Sequence, residues 1–93
     1  MNMADHEVDI CDDWNGSQGN KVTFDNNTGG PCTIDQDGSN PWPFKNGPPL
    51  PATGSIPAGG TLVTHLKNPL ADGTYTYAVD GCDDMAPKSV TVP

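Results

Sequence analysis

The fold is indicated most directly by residues 73–93, which read Gly73-Thr-Tyr-Thr-Tyr-Ala-Val-Asp-Gly-Cys-Asp-Asp-Met-Ala-Pro-Lys-Ser-Val-Thr-Val-Pro93. Tyr75, Tyr77 and Val79 alternate with small residues, and this period of two predicts a strand with one buried face. A break at Asp80 and a second alternation through Val90 follow. The segment therefore predicts two strands flanking a short loop.

The rest of the chain carries further strand patterns separated by turn residues. We predict a weak edge strand at 8–11, clear strands at 21–25 and 61–66, and a short one at 32–35. The chain has eleven glycines and ten prolines among 93 residues, and no stretch has a helical period. These features predict one all-β domain over 1–93, with a disordered start at 1–7 and a long Pro/Gly-rich loop at 39–60.

Charge and hydropathy restrict the possible partners. Twelve acidic residues against four lysines and no arginine give a net charge of −8, which would repel nucleic acid and anionic membranes. No apolar run approaches the roughly 20 residues that span a bilayer. We therefore expect no nucleic-acid partner and no membrane span. We expect the partner to be an unknown protein or a small ligand. We also expect the chain to be a monomer.

The cysteines and the first residues bear on the cellular compartment. Three cysteines in a small, turn-rich β domain favour an oxidising location, periplasmic or secreted, and the odd number leaves at least one thiol unpaired. Residues 1–5 lack the basic and apolar regions of a signal peptide. Either the protein is cytoplasmic, or its leader was removed; we favour the extracytoplasmic location.

Two side-chain groups in the middle of the chain are candidate binding residues. Trp42 lies between Pro41 and Pro43, and Phe44 follows Pro43. The two rings serve either as packing anchors or as a stacking surface for a partner. Asp35 and Asp37 have a spacing similar to a calcium loop, but the later carboxylate positions are absent. We favour a plain turn there and keep a calcium response as an alternative.

Catalysis is not expected from this set of residues. No segment places a Ser or Cys nucleophile beside a His base. The clustered Asp80, Asp83 and Asp84 are typical of a solvated loop rather than of an acid–base pair. We therefore predict that the protein is not an enzyme.

Several segments, in order, resemble the cupredoxins, the small blue-copper proteins of the plastocyanin and amicyanin kind. The resemblance covers most of the chain and implies a Greek-key β-sandwich with a metal site at one end. It rests on Val22-Thr-Phe-Asp-Asn-Asn27, Pro31-Cys-Thr-Ile34, Ile56-Pro-Ala-Gly-Gly-Thr61, Gly73-Thr-Tyr-Thr-Tyr77, Met85 and Lys88-Ser-Val-Thr-Val92.

The places that hold copper ligands in that family are altered. Cys32 and Cys82 stand where the resemblance implies histidines, and Val79 stands where it implies the copper thiolate. Only Met85, at the axial place, is retained. Because a blue-copper centre requires a Cys thiolate and two imidazoles, the resemblance implies a copper-free member.

Positions that share one metal in the resembled fold lie close together, so the resemblance implies a Cys32–Cys82 disulfide in place of the metal. The expected function is a non-catalytic binding or structural module with no cofactor, which meets its partner through end loops 25–32, 39–55 and 80–87 or through Trp42 and Phe44. The alternative is a copper(I)- or zinc-binding protein that uses Cys32, Cys82 and Met85. Pairing of Cys11 with either cysteine, or three free thiols, also remains open.

Overall fold

The computed structural model describes residues 5–84 and 86–93, and this part of the chain is all-β with no helix. It contains no helical segment that would reach across a membrane. The seven strands are β1 (Asp5–Asp9), β2 (Trp14–Asn15), β3 (Lys21–Asp25), β4 (Thr33–Gln36), β5 (Thr61–His65), β6 (Gly73–Asp80) and β7 (Lys88–Val92).

The strands form two mixed sheets in a β-sandwich-like arrangement. One has the order β1-β3-β5 and the other β2-β7-β6-β4. β1 runs parallel to β3, and β2 runs parallel to β7, whereas the remaining pairs are antiparallel. The all-β prediction is confirmed. The predicted disordered start is corrected in part, because Asp5–Glu7 belong to β1; residues 1–4 lie outside the described residues.

Period-two alternation produces the buried face of each sheet. Val22 and Phe24 of β3 are fully buried, as are Tyr77 of β6 and Val90 of β7. The Phe24 ring lies edge-on to Tyr77 of the opposite sheet, with ring centroids 6.1 Å apart. Edge-to-face contact of this kind stabilises aromatic pairs by about 1 kcal/mol beyond burial. The core therefore lies between the sheets.

The long connection between β4 and β5 is attached to both sheets. Backbone hydrogen bonds join Leu50 to Ile34, and Ile56 to Cys32. Phe44 pairs with Leu66 beyond the end of β5. These contacts hold an irregular, proline-rich segment against the sheets, although proline cannot take part fully in a strand ladder.

Candidate functional site

A disulfide joins Cys11, after β1, to Cys82, after β6, with 5.8 Å between their Cα atoms. The prediction of a Cys32–Cys82 bridge is therefore wrong, and Cys32 is a free, buried thiol. Because β1 and β6 belong to different sheets, the bridge links the two sheets at one end of the sandwich. We call this end, formed by Cys11, Asn26, Cys32 and Cys82, the cysteine end.

The register of β4 against β6 explains why Cys32 does not pair with Cys82. Thr33 pairs with Asp80, so Cys32 lies opposite Gly81 rather than Cys82. A Cβ added to Gly81 would lie 2.7 Å from the Cys32 sulfur, and the φ angle of +117° at Gly81 also favours glycine. The Cys32 thiol thus occupies the space beside Gly81 that a side chain would otherwise fill. Cys82, which follows Gly81, places its sulfur against Cys11.

The Cys32 thiol is held by polar neighbours. Its sulfur lies 3.3 Å from the Asn26 Oδ1 and 3.3 Å from the Thr28 hydroxyl. The side chain is 1 % exposed. A thiol so enclosed behaves as a small core residue and does not meet substrates or solvent.

Asn26 is the central hydrogen-bonding residue of the cysteine end. Its buried amide nitrogen donates to the carbonyl oxygens of Gly30 and Ile56, both at 2.8 Å. Its Oδ1 accepts from the backbone nitrogen and the hydroxyl of Thr28, at 3.1 and 2.7 Å. The sequence analysis missed Asn26; its signal is an Asn followed two residues later by Thr in a glycine-containing turn.

The residues present do not fit the blue-copper centre of the family that the sequence resembles. Val79 is a buried aliphatic residue of β6, and Cys82 is disulfide-bonded. His6 Nε2 forms a hydrogen bond with Asn20 at 3.0 Å, whereas His65 pairs with Lys21 in β5 and β3.

The alternative ligand set for copper(I) or zinc, Cys32, Cys82 and Met85, also lacks a thiolate at Cys82. Cys82 supplies no thiolate while bridged, and Met85 lies outside the described residues. Over residues 5–84 and 86–93, no group of three or more His, Cys, Asp or Glu is arranged to hold a metal ion.

Trp42 and Phe44 are buried core residues, 7 % and 0 % exposed. Their ring centroids are 5.1 Å apart, and the Trp42 Nε1 donates to the Asn46 carbonyl at 2.6 Å. Phe44 also packs edge-on against Phe24 and Tyr77. The prediction that these two residues bind a partner is therefore wrong, since neither presents a ring face to a ligand. They are packing anchors.

The acidic loops make local hydrogen bonds. Asp37 Oδ2 accepts from Asn40 Nδ2 and from the Thr76 hydroxyl, both at 3.0 Å. Near the cysteine end, Asp84 accepts from the Ala86 backbone nitrogen at 2.8 Å and lies 3.3 Å from the Lys88 ammonium. These two donors, the backbone amide first, lower the pKa of Asp84. Asp37 thus ties its loop to β6, and Asp84 serves a turn and one ion pair.

Comparisons of the chain with protein families, with characterised proteins and with solved structures found no match. The resemblance to cupredoxins consequently rests on the ordered sequence segments alone. Two features of the site support a functional proposal: the disulfide, and the buried Cys32 thiol with its hydrogen-bonding neighbours Asn26 and Thr28.

Proposed function

We propose that this chain is a non-catalytic, cupredoxin-like binding or structural module of Greek-key topology that works as a monomer without a blue-copper centre. It would act in the periplasm or outside the cell. The Cys11–Cys82 bridge is the observation that carries the proposal, because it engages the cysteine at a ligand place of the resembled family and is compatible with an oxidising compartment.

The packing beneath the bridge supports the same proposal. Cys32, at the other altered ligand place, is enclosed by Asn26 and Thr28. Neither cysteine then presents a thiolate to a metal or a substrate, and the thiolate is the form that ligates and attacks. In this proposal the disulfide and the Asn26 hydrogen bonds take over the structural role that a metal has in copper-bearing relatives.

Mass spectrometry, thiol counting and elemental analysis test this proposal together on protein isolated from its own compartment. We expect the mass to increase by two hydrogens on reduction, one thiol to react under denaturing conditions only, and no stoichiometric copper or zinc. A Cys32→Ser variant serves as the matched control, since it should lose the reactive thiol and keep the bridge. Three reactive thiols with one equivalent of copper or zinc would overturn the proposal in favour of the metal-binding alternative.

A further inference from the structure

A concave site lies at the other end of the sandwich from the bridge. Its cavity of about 490 Å³ is lined mainly by Gly19, Lys45, His65, Lys67 and Asn68. The direction of β3 separates the two ends: Lys21 pairs with His65 beside this cavity, whereas Asp25 precedes Asn26 of the cysteine end. Four residues of strand separate these positions by about 13 Å. We call this cavity the basic cavity.

The lysines of this acidic protein are concentrated at the basic cavity. Lys45 and Lys67 line it. Lys21 lies opposite His65 on one side and opposite Asp5 on the other, and residues so paired share a face of the sheet. Asp5 therefore offsets the charge of Lys21, and the unmatched positive charge is that of Lys45 and Lys67. The fourth lysine, Lys88, is at the cysteine end, where it pairs with Asp84. In a chain of net charge −8, the cavity is thus a local concentration of positive charge.

The walls of the cavity are fixed by backbone hydrogen bonds. Lys45 nitrogen donates to the His65 carbonyl at 2.8 Å, and Lys67 nitrogen donates to the Pro43 carbonyl at 2.9 Å. Gly19 nitrogen donates to the Lys67 carbonyl at 3.0 Å. These bonds hold together three segments distant in sequence, so the two lining lysines start from fixed backbone positions before any ligand arrives.

The lysine side chains at the cavity lack internal anionic partners. Lys45 and Lys67 are exposed, and in residues 5–84 and 86–93 the sole salt bridge is Lys88–Asp84. Among the described lining residues there is no Asp or Glu. An anion entering the cavity therefore does not have to displace an existing ion pair.

We propose that the basic cavity binds a compact multivalent oxyanion, a small molecule that carries phosphate groups or clustered carboxylates. Lysines act as point charges that accept either group, unlike the bidentate arginine fork. Screening of charges by salt favours a small ligand. At 0.15 M salt, charges interact over about 8 Å, so a small anion senses mainly the cavity, whereas a long polyanion would also meet the acidic remainder of the surface. The inference adds a ligand class and a site to the proposed binding module.

Two-dimensional ¹⁵N NMR of the oxidised, full-length chain tests the inference, with tripolyphosphate and citrate as probes and sodium chloride at matched ionic strength as the control. We expect saturable shifts at the Gly19, Lys67 and Asn68 amides and none at the cysteine end. Stronger binding of one probe identifies the phosphate or the carboxylate class. Shifts that do not saturate, or that sodium chloride reproduces, would overturn the inference.

Charge variants locate the interaction. Removing one ammonium about 4 Å from an anionic charge should weaken binding roughly fivefold, so Lys45→Gln and Lys67→Gln should each raise the Kd of the stronger probe by that factor. The matched control, Lys88→Gln, makes the same change in net charge at the cysteine end and should leave Kd unchanged. Equal weakening by all three variants would overturn the assignment.

Two further features keep the test decisive. Because Lys88 is buried, Asp83→Asn serves as a second control that changes the charge at the same end by one unit without altering a core residue. The shift experiment is also independent of thiol and metal analysis. If the anion does not bind, the bridge and the metal content are unaffected, and the proposed function still stands. If the cysteine end holds a metal, the proposed function fails, but shifts at Gly19 would still report anion binding.

Discussion

Removal of the Cys11–Cys82 bridge should cost this domain a large part of its stability. The two cysteines are 71 residues apart in the sequence. In the chain-entropy model, a cross-link that closes a loop of this length stabilises the folded state by about 4.4 kcal/mol. Single domains are stable by only about 5–15 kcal/mol in total. A Cys11→Ala/Cys82→Ala double variant is therefore expected to be marginally folded.

Urea unfolding monitored by tryptophan fluorescence measures this loss. We expect a decrease in the free energy of unfolding of about 4 kcal/mol, corresponding to a decrease in Tm of roughly 20 °C for a chain of this length. The dependence on urea should become steeper, because an unfolded chain without the cross-link exposes more surface. If the variant is partly unfolded in buffer, a stabilising osmolyte brings its folded baseline into range.

The matched control is Cys32→Ser, which keeps the bridge and replaces the thiol near Asn26 and Thr28 by a hydroxyl. We expect its free energy of unfolding to stay within about 1 kcal/mol of wild type. The reasoning is refuted if the double variant loses less than about 1 kcal/mol while mass spectrometry shows the bridge intact in the wild type. In that case the cross-link does not restrict the unfolded chain.

Three further predictions concern buried side chains and one glycine, each measured by urea unfolding. Asn26→Ala removes several buried hydrogen bonds and should cost about 3 kcal/mol, whereas the exposed control Asn27→Ala should cost about 1 kcal/mol or less; similar losses would contradict the central role of Asn26. Burial raises the pKa of the Tyr77 phenol far above its ordinary value. The unfolded chain therefore ionises first, and stability should fall as the pH rises above about 10, by up to about 1.4 kcal/mol per pH unit; a Tyr77→Phe variant that retains the full slope would refute this cause. Gly81→Ala places a Cβ 2.7 Å from a buried sulfur at a positive φ and should cost at least about 2 kcal/mol, while Gly30→Ala, with open space around it, should be tolerated.

Local alternation was sufficient to predict the all-β class and most of the longer strands. β3 and β6 each place apolar side chains at every second residue, and β5 is rich in β-branched residues; both signals are independent of the rest of the chain. β1 was predicted too late in the sequence, because its charged residues Asp5 and Glu7 mask the alternation. The two-residue β2 is too short to produce any periodic signal, and its pairing with β7 is visible only in three dimensions.

The candidate sites depended on long-range register, which sequence does not specify. A cysteine at position 32 faces Gly81 or Cys82 according to a shift of one residue, and such a shift moves a side chain to the other face of a strand. The basic cavity was missed for a related reason. Lys45 comes from the proline-rich connection, and backbone bonds from Lys45 to His65 and from Lys67 to Pro43 bring it beside Lys67.

The position of the bridge also determines how the domain would respond to a pulling force on its two termini. Within residues 1–93, ten residues precede Cys11 and eleven follow Cys82. Tension applied between residues 1 and 93 can therefore draw out only these two segments, at most roughly 80 Å of chain including the cysteines. It would peel away β1 and β7 and then act on the covalent bond, leaving the five strands from β2 to β6 inside a closed loop that carries no load. Without the bridge, the same force could extend the whole chain to more than 300 Å. The disulfide thus limits the extension of this domain to about a quarter of what the unbridged chain would allow.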